Sequence, residues 1–279
     1  MKHHEYDPNV LKHMHEVELM ILKDFIKICE EYDLNYSIYC GSLLGTIRHE
    51  GFIPWDDDLD VVMFRKDFER FKEIFLASDN EKYELLTNDV EHGYCYFFSK
   101  FMLKNTRFEE EWMDQFDFTM GLNIDIFVLE DCHDNKFKRY YVTRKGFIYN
   151  RLLISSGIKL DDMAFIPRLI SHSLYNFLKL LKLDPYKITQ SCMKFLRNNT
   201  HEDSKYVFDI STTFEEFPLI HHREDFENPV RAKFEDIYVN VPRNYDRVLK
   251  TLFGDDYMTL PPEEKRVNHA VDHIDFGQY

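Results

Sequence analysis

The 279-residue sequence contains no apolar segment long enough to span a lipid bilayer. The longest stretch without a formally charged residue, 34–47, has 14 residues and includes two glycines, whereas a membrane-spanning helix needs about 20 apolar residues. At the N-terminus, Glu5 and Asp7 stand where a secretion signal would begin its apolar core. These features predict a cytoplasmic protein.

Cysteines are few and scattered. The five cysteines, at positions 29, 40, 95, 132 and 192, include no C-x-x-C pair. Closely spaced pairs would indicate a structural zinc site or a disulfide framework, so the observed pattern favours a reducing compartment.

Positive charge is also in short supply. The sequence has 35 Lys and Arg residues against 50 Asp and Glu residues, for a net charge of -15. A strongly acidic protein is repelled by a phosphate backbone, which argues against nonspecific binding of nucleic acid. Handling a phosphorylated small molecule would therefore need a local basic patch or a metal ion. The 44% content of hydrophobic residues predicts a folded chain with a full core.

Apolar spacing divides the chain into two parts. Residues 1–130 alternate between helices predicted at 8–32, 43–50 and 66–76 and strands predicted at 36–40, 59–64, 83–87, 94–103 and 122–129. Residues 131–279 are more helical, with helices predicted at 134–153, 163–182 and 186–199, a strand at 236–241 and a helix from 244. We expect an α/β (α+β) fold, in which a mixed sheet flanked by helices is followed by a mainly helical half packed on it as one unit.

A cluster of four aspartates, Asp56, Asp57, Asp58 and Asp60, leads into the apolar strand predicted at 59–64. Such close carboxylates repel one another unless a cation or solvent neutralises them. If the strand opened at Asp58, side-chain alternation would place Asp56, Asp58 and Asp60 on one face and Asp57 on the other. Converging carboxylates suit Mg²⁺ or Mn²⁺. The alternative is a solvated acidic loop.

Four known motifs contain closely spaced acids of this kind. The residues around the acids, and the order of the acids and the strand, distinguish these motifs. An EF-hand loop needs glycine and glutamate where this chain has Val61 and Asp67. Residues 58–62 fit the D-x-D-x-[TV] pattern of haloacid-dehalogenase-like phosphatases. Those phosphatases, like D-x-D glycosyltransferases, place the acids after the apolar strand. Here the acids come first, as in enzymes of the nucleotidyltransferase fold.

Two further elements match that fold. Gly41-Ser42 follows a predicted strand and precedes a predicted helix. Glycine permits close backbone approach there, and the helix N-terminus favours a phosphate. Asp125 lies among the apolar residues of the strand predicted at 122–129. A lone carboxylate in that setting is either paired structurally or functional, and we interpret it as functional.

Residues 41–60, GSLLGTIRHEGFIPWDDDLD, resemble the signature of the LicD family, which also includes fukutin and fukutin-related protein. Residues 123–127 and 257–266 are similar to later blocks of that family. The resemblance implies a nucleotidyltransferase-fold catalytic core in 1–130 and an acceptor-side half in 131–279. It also implies transfer of a phospho-group from a CDP-activated donor to a cell-surface glycan or teichoic-acid-type precursor. The donor is usually CDP-choline, whereas fukutin-like members use CDP-ribitol.

The resemblance suggests a role for each candidate residue. We expect Asp58 and Asp60, assisted by Asp56, to hold Mg²⁺ (or Mn²⁺) against the donor pyrophosphate. Asp125 would complete the metal site or accept the proton of the acceptor hydroxyl. The residues predicted to contact the donor are Gly41, Ser42, Arg48, Lys100, Lys104 and Arg107. For the last three, the alternative is a solvated basic loop.

Two further features of the sequence suggest contacts with choline and with a membrane. A quaternary ammonium is held by aromatic faces, and Trp55 and Trp112 are candidates for that role. The helix predicted at 163–182 has an apolar stripe and basic residues, so it could rest on an anionic membrane or pack on the core. Two competing functions remain open at this point: a phosphatase built on Asp58 and Asp60, and a noncatalytic metal- or sugar-binding module.

Overall fold

The computed structural model describes residues 6–110, 113, 115–159, 165–211, 219–266, 268 and 271–279. The helices are α1 (Pro8–Glu31), α2 (Cys40–His49), α3 (Arg65–Ala77), α4 (Lys136–Gly157), α5 (Phe165–Leu180), α6 (Pro185–Asn199), α7 (Glu224–Glu227) and α8 (Tyr245–Phe253). The strands are β1 (Tyr36–Ile38), β2 (Asp60–Phe64), β3 (Tyr83–Leu86), β4 (Ser99–Leu103), β5 (Arg107–Glu110), β6 (Asn123–Asp131), β7 (Tyr206–Asp209), β8 (Leu219–His222), β9 (Val230–Phe234), β10 (Ile237–Val241) and β11 (Val271–Asp275).

A mixed sheet forms the centre of the molecule. Its main path runs β1-β2-β6-β4-β3, and β7 pairs with both β6 and β8. The β2–β6 pair is parallel, while the other pairs in this sheet are antiparallel. Two-stranded pairs, β9 with β10 and β5 with β11, complete the described strands. The predicted α/β class with a mixed sheet is confirmed.

Helix α1 covers the sheet because its apolar side chains recur at helical spacing. Pro8 occupies the first turn, and the side chain of Asp7 accepts a hydrogen bond from the backbone NH of Asn9 at 2.8 Å, which caps the helix. On the buried face, the ring of Phe25 lies 5.2 Å from that of Phe71 and 6.1 Å from that of Phe101. This aromatic contact joins α1 to α3 and β4 and anchors the helix over the sheet.

The second half of the chain adds helices around a second apolar cluster. Side chains from α4 and α6, among them Val142, Leu153 and Cys192, pack with Phe208 of β7. Strands β7 and β8 extend the sheet built by the first half, because β7 pairs with the last residues of β6. Within the described ranges, none of the helices combines the length and apolarity required to cross a bilayer.

Several predicted boundaries were wrong. Helix α2 begins at Cys40, where the backbone is left-handed with φ of 42°, and not after a turn at Gly41-Ser42. The strand predicted over 94–103 is limited to β4. Its first half is an aromatic loop, in which the rings of Tyr94 and Tyr96 lie 5.7 Å apart. Alternating aromatic residues there imitate the pattern of a strand.

A buried polar contact ties β8 to the segment before α2. The hydroxyl of Tyr39 and Nε2 of His221 are 2.8 Å apart, and both side chains are buried. Burial, with a smaller contribution from His222, lowers the pKa of His221 to about 3. The folded state therefore keeps this imidazole neutral, while the unfolded chain binds a proton below about pH 6.5.

His221 should make the protein sensitive to mild acid. Because its pKa is depressed on folding, the stabilisation is present above about pH 6.5 and is lost as pH falls towards 3. We expect the stability advantage of wild type over His221→Gln to narrow between pH 7 and pH 5, by up to about 1.4 kcal/mol per pH unit. Urea denaturation at the two pH values measures it, with His222→Gln as the matched control. A pH-independent difference between wild type and His221→Gln would contradict the prediction.

Candidate active site

Three charged side chains lie in a row across the central sheet. The register pairs Asp60 of β2 with Asp125 of β6, and Asp125 with Lys100 of β4. Side chains paired in this way point to the same face of a sheet. Nζ of Lys100 donates to Oδ1 of Asp125 at 2.7 Å and to Oδ1 of Asn123 at 3.2 Å. The structure therefore brings together Asp60, Asp125 and Lys100, three residues selected from the sequence.

The first turn of α2 lies against the acidic segment. Oγ of Ser42 accepts a hydrogen bond from the backbone NH of Asp60 at 2.8 Å. A Cβ added to Gly41 would lie 2.9 Å from Oδ2 of Asp56, which is closer than real Cβ contacts come. Glycine at 41 thus lets the backbone approach the Asp56 carboxylate. The prediction that Gly41 and Ser42 cradle a phosphate stays a prediction.

The acidic segment before β2 is a loop and not part of the strand. Strand β2 begins at Asp60, so the alternation predicted from a strand opening at Asp58 does not apply. Asp57 is buried and accepts a hydrogen bond from the Tyr6 hydroxyl at 2.6 Å. It also borders the same cavity as Asp58, so the predicted separation of Asp57 from its neighbours is wrong.

That cavity has a volume of about 30 Å³, which is enough for a metal ion or a water molecule. Its lining combines acidic, amide and basic groups with one aromatic ring: Glu18, Asp57, Asp58, Lys100, Phe108, Asn123 and Asp125. The predicted residues Asp58 and Asp125, which are far apart in the sequence, thus border one space.

Glu18 of α1 is the site residue that the sequence analysis missed. Its side chain is 2% exposed, and Oε2 has no hydrogen-bond partner in the described part of the chain. Burial raises the pKa of Glu18 well above its usual range, and the nearby charges of Asp58, Asp57, Asp56 and Asp125 raise it further. A signal was present, because this carboxylate occupies the apolar stripe of an amphipathic helix, between Met14 and Phe25.

The other predicted basic ligands do not join Lys100. Nζ of Lys104 donates to the Asn80 carbonyl at 2.7 Å, and Arg107 is exposed on β5, opposite Asp275 of β11. These two residues therefore do not form the predicted cluster with Lys100. Arg48 donates through Nη1 to the Tyr257 carbonyl at 3.1 Å, which connects it to the block 257–266. Its role towards the donor stays a prediction.

Of the two tryptophans predicted to bind choline, the structure describes Trp55. The guanidinium of Arg266 lies 4.4 Å from the ring centroid of Trp55, so it occupies one face of the indole. A choline cage using that face would require Arg266 to move. Trp112 lies outside the described residues.

The side chains that line the cavity offer the kind of oxygen ligand that a hard divalent cation binds. Four of the seven residues that line the cavity carry carboxylates, and Oε2 of Glu18 is buried without a partner in the described part of the chain. Among the described residues, no three His, Cys, Asp or Glu side chains already stand in metal-coordinating positions. Mg²⁺ does not need a complete protein cage, since it is commonly bound by one or two carboxylates together with substrate phosphates.

The Lys100–Asp125 pair should contribute strongly to stability because both partners are buried. We expect Lys100→Met to lower the free energy of unfolding by about 3–5 kcal/mol, since Asp125 would lose its counter-charge beside other carboxylates. The double variant Lys100→Met/Asp125→Asn should lose less than the sum of the single changes.

Urea denaturation of the three variants and wild type measures this coupling. The matched control is Lys250→Met, which breaks an exposed 2.8 Å pair with Asp246 and should change stability little, because solvent screens it. Additive effects of the Lys100 and Asp125 substitutions would contradict the interpretation.

Known proteins are similar to the chain over the region that contains these residues. Residues 33–152 match the family model described as LicD/FKTN/FKRP, nucleotidyltransferase domain. The chain is 28% identical over 266 residues to the lipopolysaccharide cholinephosphotransferase LicD of Haemophilus influenzae, covering 94% of this chain and 96% of that protein. An uncharacterized protein of Rickettsia typhi is 33% identical over 70 residues, or 25% of this chain and 23% of its own length.

The family match begins before β1 and ends within α4, so it includes Gly41, the aspartate segment, Lys100 and Asp125. The relative from Haemophilus influenzae extends the likeness over nearly the whole chain. Residues 33–152 therefore match the nucleotidyltransferase domain of the LicD family.

Proposed function

We propose that the protein is a phosphotransferase that moves phosphocholine from CDP-choline to a hydroxyl of a cell-surface glycan or teichoic-acid-type precursor. The observation behind the proposal is the convergence of Asp58, Asp60 and Asp125 beside Lys100 in a region that matches the nucleotidyltransferase domain of the LicD family. The cholinephosphotransferase from Haemophilus influenzae, which matches 94% of the chain, supports phosphocholine as the transferred group.

The acidic site needs a cation to accept a negatively charged donor. The buried carboxylates would repel a pyrophosphate, and Lys100 already pairs with Asp125. Asp58 and Asp60, with Asp56 beside them, would hold Mg²⁺ or Mn²⁺. When bound, such an ion supplies positive charge that neutralises phosphate oxygens. Gly41 and the NH groups at the start of α2 would lie against a phosphate of the donor.

Asp125 would act on the acceptor. The oxygen of the acceptor hydroxyl forms a bond to the phosphorus of phosphocholine, while the bond from that phosphorus to the oxygen of CMP breaks. The hydroxyl proton passes to Asp125 or to solvent. Lys100, at 2.7 Å, fixes the orientation of the Asp125 carboxylate. Phosphoryl transfer depends mainly on such positioning and on charge neutralisation.

Other donors are consistent with the same site. CDP-ribitol and CDP-glycerol share the cytidine and pyrophosphate groups of CDP-choline and differ in the transferred group. A phosphatase or a noncatalytic sugar-binding module is a weaker candidate, because the acids precede β2 and the chain matches a cholinephosphotransferase over nearly its full length.

The first test is product analysis. Wild type incubated with CDP-choline, Mg²⁺ and a panel of glycan acceptors should release CMP only when an acceptor is present, and chelation of the metal should stop the reaction. Asp58→Asn should lower the rate by about 100-fold or more. Asp79→Asn, the same change at an exposed position, should not.

Each contrary outcome of that assay has a distinct meaning. Full activity of Asp58→Asn would contradict the assignment of the site. Inorganic phosphate released without an acceptor would indicate a phosphatase. Turnover of CDP-ribitol or CDP-glycerol but not of CDP-choline would identify a different donor and would still support transfer of a phospho-group. No turnover of any of the three would favour a binding module.

Glu18 should contribute to cation binding. Its unpartnered Oε2 is buried, and its side chain borders the cavity with Asp58 and Asp125. We expect Glu18→Gln to weaken Mn²⁺ binding by about tenfold, measured by calorimetry or by the spin-resonance signal of free Mn²⁺. Glu16→Gln, on the exposed side of the same helix, should bind as wild type does. Equal affinities for the two variants would remove Glu18 from the cation site.

A further inference from the structure

Helix α5 turns its apolar side towards solvent. Its large exposed apolar side chains lie within an arc of about 120° around the helix axis, at 100° per residue. They are Ile166, Leu169, Ile170, Phe177 and Leu180, followed by Leu181 just beyond the helix. Ile166 is 68% exposed and Leu180 is 79% exposed.

The opposite side of α5 faces the protein. Ser171 and Leu178 are buried there, about 120–140° around the helix from Ile166. A surface helix of a globular protein normally buries its apolar stripe and exposes its polar side. In α5 only Leu174 and Leu178 of the predicted stripe pack against the protein, so packing on the core does not account for the other apolar side chains of the stripe.

The neighbouring helix α4 exposes further apolar and aromatic side chains. Phe137 is 83% exposed, and Tyr140, Tyr141 and Ile148 are each at least half exposed. Aromatic residues with a polar atom, such as tyrosine, are enriched where a protein meets the headgroup region of a bilayer.

Positive charge is concentrated in the same part of the molecule. Helices α4, α5 and α6 contain no Asp or Glu, although the chain as a whole has 50. Their basic residues are Lys136, Lys138, Arg139, Arg144, Lys145, Arg151, Arg168, Lys179, Lys187, Lys194 and Arg197. Asp161 and Asp162, between α4 and α5, lie outside the described residues.

We propose that the exposed apolar side of α5 docks on an anionic lipid bilayer, with the basic residues of α4, α5 and α6 attracting the surface. The proposal is independent of the transfer reaction and concerns where the protein works. Apolar side chains on a helix lying in the interface insert among lipids, and nearby Lys and Arg strengthen binding to anionic headgroups. Membrane contact would also place the protein beside a lipid-linked acceptor.

Charge complementarity favours a bilayer over a second copy of the chain. Two copies meeting through the exposed side of α5 would also bring two sets of basic helices near one another, and α4, α5 and α6 contain no acidic residue to compensate. An anionic membrane removes that repulsion and covers the apolar side chains at the same time.

The test is co-sedimentation with vesicles. Wild type should bind vesicles of phosphatidylglycerol and phosphatidylcholine at low salt, bind phosphatidylcholine alone weakly, and be released as salt rises. Leu180→Glu should weaken binding by about tenfold or more, because it removes one inserted side chain and adds a repelled charge. The matched control is Leu76→Glu on α3, another exposed leucine, which should bind as wild type does.

Both leucines are exposed, so thermal melts should show that each variant folds. The proposal is overturned if wild type fails to bind anionic vesicles at low salt, or if Leu180→Glu and Leu76→Glu bind equally. Sedimentation velocity tests the alternative that a second copy of the chain covers the exposed side of α5. Self-association that Leu180→Glu abolishes, without vesicle binding by wild type, would assign the face to a second copy.

Discussion

The ion pair between Lys100 and Asp125 is the contact on which the active site depends. Burial raises the pKa of Glu18, and the nearby charges of Asp58, Asp57, Asp56 and Asp125 raise it further. Among the described residues that line the cavity, Lys100 alone is basic. It offsets part of the repulsion and leaves the remaining negative charge available for a cation.

The sheet register explains how residues distant in sequence reach one place. Strand β6 lies between β2 and β4, so its Asp125 meets Asp60 on one side and Lys100 on the other. The serine of the Gly-Ser pair holds the first residue of β2 through a backbone hydrogen bond, which fixes the acidic loop relative to α2. Fold and site are therefore specified by the same contacts.

Sequence patterns predicted the local elements well and the long-range contacts less well. The long helices, the mixed sheet and the aspartate segment follow from periodicity and from a dense carboxylate motif. Strands β5, β7, β8, β9 and β11 were missed, because segments of four or five residues have little periodicity and depend on distant partners. Glu18 was missed because its position in an apolar stripe indicated only a helix.

Charge is distributed unevenly over the molecule, in a way that matches the proposed function. Acidic groups are concentrated at the cavity beside Asp58, and basic groups on α4, α5 and α6. One region suits a cation with a nucleotide donor, and the other suits a negatively charged surface. A net charge of -15 describes neither region, so the average composition conceals both.

The central claim is that the carboxylates before and within β2 bind the catalytic cation. Its most direct test is a crystal structure with Mn²⁺ and CMP, using the anomalous scattering of manganese to locate the ion. We expect a peak within about 2.5 Å of carboxylate oxygens of Asp58 and Asp60, with a CMP phosphate oxygen on its open side. A nucleotide bound with no manganese beside these aspartates, or with the ion held elsewhere, would contradict the claim.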